Sequence, residues 1–199
     1  SQSGTYSYNT TTSGNNYSMS FDGVDNSVDV NSNYGPSLSD EYSISFWAKT
    51  SLNGGGNVIS KYDNLNSSNS NFFISLNGSN STGVISGNGT NTMTFLTPQQ
   101  NIWTHIGIVF MTNGDVSVFV NGILELSGNL NLNSSVANIP TSFGKINGPF
   151  PGYFNGEIDN VQIWNTALSQ SEIQQYMNCL PTGGEAGLVG FWNFEEGSG

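Results

Sequence analysis

The chain has 199 residues, with 14 Asp and Glu against 3 Lys and no Arg, for a formal net charge of -11 and a pI near 4.1. Three lysines cannot neutralise a run of phosphates, so nucleic acid is excluded as a partner, and the same charge argues against an anionic membrane surface. Only 9% of residues are charged, whereas 35% are hydrophobic and 12% aromatic, so the chain can build a core and is no solvating acidic tail.

The length suits one domain, because single all-β sandwiches run to ~200–250 residues. No apolar run approaches the ~20 residues that span a bilayer, so no membrane insertion is expected. The opening Ser1-Gln-Ser-Gly-Thr-Tyr6 lacks the charged and apolar regions of a signal peptide; any leader is expected to lie outside this sequence. Cys179 is alone, so no internal disulfide forms and no metal set is assembled from it and the single His105. Seven Asn-x-Ser/Thr triplets are scattered through a chain rich in all three residues and carry no argument about glycosylation.

Taken in order, the chain reads as short alternating runs divided by Gly, Asn and Ser. Tyr17–Phe21 and Ser27–Val30 flank the turn-like Asp22-Gly-Val-Asp-Asn26. In Ser43–Thr50, Ile44, Phe46 and Ala48 point one way and Ser45, Trp47 and Lys49 the other, the period of two of a half-buried strand. Asn57–Tyr62, Asn71–Leu76, Gly83–Gly87 and Thr92–Leu96 are further strands. In Trp103–Met111, Ile106, Ile108 and Phe110 share one face and Trp103, His105 and Val109 the other. Asn113-Gly114 and Asn121-Gly122 then join Trp103–Met111, Asp115–Val120 and Ile123–Leu126 into three antiparallel strands, since Asn-Gly suits the positive φ of type I′ turns.

Ser142–Ile146 and Gly156–Trp164 complete the strands. Ser169-Gln-Ser-Glu172 is a capping box that opens a helix with Ile173, Tyr176 and Met177 on one face, ended by Pro181 and Gly183-Gly184. The aromatic strand in Gly187–Gly199 follows. Many short strands with one late helix predict an all-β, two-sheet antiparallel jelly-roll sandwich with one short C-terminal helix.

Five segments now stand in a telling order: Met19–Val30, Tyr42–Lys49, Trp103–Val109, Val118–Gly122 and Phe154–Ile173. The series resembles the laminin G-like modules of the concanavalin A-like lectin/glucanase superfamily, which also contains the pentraxins. The resemblance covers roughly residues 17–178, and it implies a jelly roll of two antiparallel sheets. It sets the domain at 1–179, followed at 180–199 by a linker and a strand like the one that opens such modules. Two placements of that strand follow, the start of a further module or an edge strand beside Gly156–Trp164; the exposed aromatics of the first favour docking.

The resemblance also frames the carboxylates. Retaining laminarinase-type hydrolases of the superfamily carry Glu-x-Asp followed closely by a second Glu, whereas Glu157-Ile-Asp159 is followed by Asn160, Val161 and Gln162. An amide neither protonates a leaving oxygen nor activates water, so no catalytic residue is assigned and the chain is read as no enzyme. Asp159 matches a position where the superfamily often holds a structural calcium, and Asp22 is its proposed co-ligand if the Asp22 turn lies beside the late strand. Simple turn and strand-end roles are the alternative for both.

Lys61-Tyr-Asp-Asn64 and the Lys145–Tyr153 loop fall where pentraxins gather loops around ligand-bridging calcium, but the second loop holds no acid. For sugar binding, Tyr62, Phe150 and Tyr153 offer an apolar floor, with Asp63, Asn64 and Asn147 as polar partners; for Asp63 and Asn64 the alternative is that they are ordinary loop residues. The alternative is that Phe150 and Tyr153 merely pin a long loop. Trp47, Trp103, Trp164 and His105 are read as packing residues. The function that emerges is a non-catalytic, calcium-stabilised extracellular module that binds polysaccharide or glycan, part of a larger secreted or cell-surface protein with neighbouring modules. A structural or adhesive repeat making protein contacts is the alternative.

Overall fold

A computed structural model describes residues 2–3, 5–9, 16–30, 34–36, 40–52, 54–63, 71–87, 91–97, 99–132 and 139–195. Its strands are β1 (Gln2–Ser3), β2 (Thr5–Asn9), β3 (Asn16–Asp22), β4 (Ser27–Val30), β5 (Tyr42–Thr50), β6 (Gly55–Lys61), β7 (Phe72–Asn77) and β8 (Thr82–Gly87). They continue with β9 (Asn91–Leu96), β10 (Thr104–Phe110), β11 (Asp115–Val120), β12 (Ile123–Asn129), β13 (Thr141–Phe143) and β14 (Asn155–Trp164), then helix α1 (Gln170–Asn178) and β15 (Leu188–Trp192).

Sheet A runs β1-β4-β13-β6-β7-β8-β9, and sheet B runs β12-β11-β10-β5-β14-β3-β2 with β15 as an extra partner of β14. Strand alternation explains the layering. Ile44, Phe46, Ile106, Ile108 and Phe110 of sheet B meet Ile59, Phe72, Ile74, Ile85 and Phe143 of sheet A in one core, each with essentially no exposed surface. Burial of each such side chain favours the fold by about 1.5–3 kcal/mol. The jelly-roll sandwich expected from the sequence is the architecture found.

Three local departures have physical causes. At Asn121-Gly122 both residues take positive φ (50° and 74°), as a type I′ hairpin requires. At the first turn only Gly114 does (83°); Met111 N–H bonds to Asp115 O and Gly114 N–H to Met111 O, a wider closure in which Asn113 Oδ1 instead accepts from Asp115 N–H. The strand expected to reach Ile146 stops at Phe143. Gly144 turns left-handed there (φ 83°), where a Cβ would collide with the Phe21 ring, and the chain leaves the sheet. Strands β1 and β2, which the sequence pattern did not reveal, extend each sheet beside β4 and β3.

Strand β14 changes partner half-way. Asn155–Ile158 pairs with β3 and Val161–Trp164 with β15, across an irregularity between Asp159 and Gln162 where Asn160 has φ 50°. Helix α1 closes the outer face of sheet B. Ser169 Oγ accepts from Glu172 N–H while the Glu172 carboxylate accepts from Ser169 N–H, the reciprocal cap read from the sequence. Ile173 is buried against Gly107, and Tyr176 lies on Trp164 with ring centroids 4.5 Å apart. No helix among the described residues is long and apolar enough to cross a membrane.

Candidate functional site

With α1 over sheet B, the outer face of sheet A is the one lined by a long loop, residues 145–153. Asn57 holds the loop's returning end: its N–H donates to Gly152 O at 3.0 Å, and its Nδ2 donates to Gly152 O at 2.8 Å and Pro151 O at 3.2 Å. The outgoing end is held by Asn147 N–H donating to Tyr62 O at 2.9 Å, with Asp63 and Asn147 bridged. Lys145 is committed to Asp29 at 3.0 Å, and its carbonyl accepts from Ser60 Oγ at 2.7 Å.

The loop therefore brings Tyr62, Asp63 and Asn147 together at one end. Tyr62 packs edge-on against Phe73, ring centroids 5.2 Å apart. Tyr153 stands at the other end, bridged to Asn57, and Phe150 at the loop's tip is 79% exposed. Asn64 lies outside the described residues.

Beside Tyr153 opens a groove of about 530 Å³, lined by Asn77, Asn155, Ser75, Ser79, Thr82 and Val84 among others. Its floor is the run Gly54-Gly55-Gly56. A Cβ on Gly55 would strike the Leu76 carbonyl oxygen and one on Gly56 that of Tyr153, so only glycine lets β6 pass this close beneath its neighbours. Asn57, which holds the loop, and the three glycines, which line the groove, are candidate site residues that sequence reasoning missed. The Gly-Gly-Gly run was the visible signal.

Asp22 and Asp159 are not brought together. Asp22 pairs with Asn155, four residues before Asp159 on β14, or about 13 Å along the strand. Calcium takes its oxygens at about 2.3–2.6 Å, so these two carboxylates do not share one ion. Asp22 instead closes its own turn, Oδ1 accepting from Val24 N–H at 2.8 Å and Asp25 N–H at 3.3 Å. Those donors hold its carboxyl below the usual range. Among the described residues no three His, Cys, Asp or Glu side chains gather as a metal set.

On the outer face of sheet B, Glu157 pairs with Lys49 at 2.8 Å and accepts from Ser18 Oγ at 3.0 Å. Lys49 also lies over the Trp103 ring, 5.2 Å from its centroid. Asp159 is buried, its two oxygens accepting from Asn160 N–H at 2.7 Å and Nδ2 at 3.0 Å. Burial pushes its carboxyl up to about 7, with the nearby Glu195 charge adding to the rise. Glu157 and Asp159 share a face, yet one is neutralised by an amine and the other sealed by its neighbour's amide. Gln162, the third of the residues that follow Asp159, gives its Nε2 to Tyr176 O.

Two stacked antiparallel sheets, one late helix among the described residues and a loop-lined open face define a lectin-type sandwich. Over residues 21–174 the chain matches the family described as the concanavalin A-like lectin/glucanases superfamily, and it belongs to that family, in its laminin G-like branch. A comparison with curated protein sequences finds no match. Among solved structures, a protein of Bacteroides ovatus named for carbohydrate binding is similar at TM-score 0.67 and 14% identity, over 90% of this chain and 51% of that one. A heptameric SAP-like pentraxin from Limulus polyphemus is similar at 0.65 and 15% identity, over 88% and 90%. The binding domain of botulinum neurotoxin serotype G follows at 0.62 and 19%, over 86% and 44%. The chain thus spans about half the length of the first and third of these.

Proposed function

We propose that this chain is a non-catalytic module that binds a neutral polysaccharide through the outer face of sheet A, within a larger secreted or cell-surface protein. The observation that carries the reading is the backbone pairing that sets Asn147 of loop 145–153 beside Tyr62 and Asp63, just past the end of β6. A half-buried aromatic backed by a second ring, next in sequence to a carboxylate residue and paired through the backbone with an amide residue whose Nδ2 donates to Pro140 O, suits sugar: apolar faces for C–H groups and polar partners for hydroxyls. The net charge of -11 repels anionic glycans and favours uncharged ones. The separated roles of Glu157 and Asp159 support binding over hydrolysis. The Bacteroides ovatus protein and the toxin domain, both named for binding, support the same class; the secreted setting is read from the family and from the turn-rich, Asn- and Ser-rich composition.

The test is affinity electrophoresis against β-glucans, xylan and mannan, with Tyr62→Ala and Asn147→Ala alongside the wild type. Retardation of the wild type that both variants lose is the expected result, and silence across all three polysaccharides defeats the reading. Each gel is run in calcium and in EDTA. Asp63 and Asn147 supply one carboxylate and one amide of the ~6–8 oxygens calcium takes, and binding that needs the ion would assign calcium to this rim.

An adhesive role is the second reading. Ile123 (67% exposed) and Leu124 on edge strand β12, with Leu96 on edge strand β9, leave apolar side chains on two sheet edges. Concentration-dependent self-association abolished by Ile123→Lys, with no glycan retardation, would favour it.

A further inference from the structure

The loop that pairs Asn147 with Asp63 also pairs Tyr153 with Asn57, and Asp63, two residues past the end of β6, stands six residues from Asn57. At about 3.3 Å per residue that is roughly 20 Å, longer than one pyranose ring. Between the ends, Phe73 and Ser75 occupy alternate positions of β7 on the same face, Phe73 against Tyr62 and Ser75 in the wall of the groove.

At the Tyr153 end the groove has the volume of a small-ligand site. Its glycine floor places backbone, not side chains, beneath a ligand. Tyr153 is half-buried, and Asn77, Asn155, Ser79 and Thr82 offer amides and hydroxyls. No charged side chain lines it among the described residues, so nothing there selects a phosphate, a carboxylate or a cation.

We propose that this groove is a second sugar subsite, and that the ligand is an extended linear neutral oligosaccharide whose chain runs along sheet A from Tyr62 to Tyr153. The proposal rests on the glycan-binding reading above and adds to it the length of the ligand and the residues at its far end. A single ring engages one end only; a longer chain gains the second contact without paying again for association.

Isothermal titration with cello-, laminari- and mannooligosaccharides from the disaccharide to the hexasaccharide tests it. The expected result is an affinity that climbs by about tenfold along the series that binds, equivalent to about 1.4 kcal/mol. Tyr153→Ala removes the climb, so that the hexasaccharide binds no more tightly than the disaccharide. Ser79→Trp, which fills the groove from an exposed turn and spares the core, does the same and guards against misfolding of the first variant. A climb that survives both substitutions, or a wild type that binds every length equally, overturns the second subsite while the glycan-binding reading stands. A wild type that binds no oligosaccharide and no polysaccharide overturns both.

Discussion

His105 and Asp159 flank Trp47 in one cross-strand row of β10, β5 and β14, all three side chains on the outer face of sheet B. The Trp47 and His105 rings meet edge to face, 5.4 Å apart. Both titratable groups are buried, and burial moves them in opposite directions: His105 down to about 4, Asp159 up to about 7. The charges around Asp159 are Glu195, the Glu157–Lys49 pair and His105 itself once protonated.

Those shifts tie stability to pH with opposite signs. Asp159 binds its proton more tightly folded than at its ordinary 3.8, so its contribution is full below about 3.8 and is lost as pH rises through about 7. His105 binds its proton less tightly folded than at its ordinary 6.5, so its contribution is full above about 6.5 and is lost as pH falls through about 4. Between about 4 and 6.5 the two slopes oppose each other, and the wild-type thermal midpoint is expected to be nearly flat. Asp159→Asn should expose a midpoint that falls on acidification, and His105→Gln one that rises. Calorimetry across that window reads all three; parallel curves would refute the assignment.

Ile173 is the contact by which the helix grips the sheet. It fits into the space that Gly107 leaves, where a Cβ would come within 3.1 Å of Ile173 Cδ1. Ile173→Ala opens a cavity in the small cluster of Val109, Phe119, Trp164 and Leu168 and should cost about 2–4 kcal/mol in denaturant unfolding. Gly107→Val, overfilling the same space from the sheet, should cost about 1–3 kcal/mol.

The sandwich was legible because strand alternation and Asn-Gly turns are local signals. Ile44, Phe46 and Ala48 face the core as their period of two says. The site was legible only in part, because it depends on register. Tyr62, Asp63 and Asn147 stand out by their loops, and the structure pairs the backbone of Asn147 with that of Tyr62 and Asp63. Pairing Asp22 with Asp159 requires the turn to lie beside the middle of the late strand, yet Asp22 aligns with Asn155, four residues away. No local pattern encodes that offset, nor the switch of β14 from β3 to β15 at Asn160. The groove floor was missed for a related reason: three glycines name a close approach without naming what approaches.

Asn57 ties that approach to the loop. Asn57→Ala deletes the two side-chain hydrogen bonds to the Pro151 and Gly152 carbonyls and the contact with Ser75 Oγ. With partly buried acceptors left behind, the expected loss is about 1–3 kcal/mol. Hydrogen exchange should rise in residues 147–153 while β10 and β5 stay protected; uniform exchange across the fold would show that Asn57 serves the core and not the loop.

A glycine series separates backbone strain from collision. Gly184 has no heavy atom within 4 Å of an added Cβ and no left-handed φ, so Gly184→Ala should be neutral or stabilising by about 0.4–1 kcal/mol through the unfolded chain. Gly183 has the same open space but φ 100°, so Gly183→Ala carries strain alone, about 1–3 kcal/mol. Gly56 combines φ 125° with a collision against the Tyr153 carbonyl, so Gly56→Ala should cost more than Gly183→Ala and push Tyr153 outward. Denaturant midpoints rank the three, and the ordering has a functional reading as well. If the groove floor holds Tyr153 in place for a sugar ring, Gly56→Ala loses the chain-length gain in affinity while Gly183→Ala, far from the groove lining, keeps it. Equal losses at the two positions would mean that the backbone conformation alone demands glycine at Gly56, and that the close passage beneath Tyr153 contributes nothing.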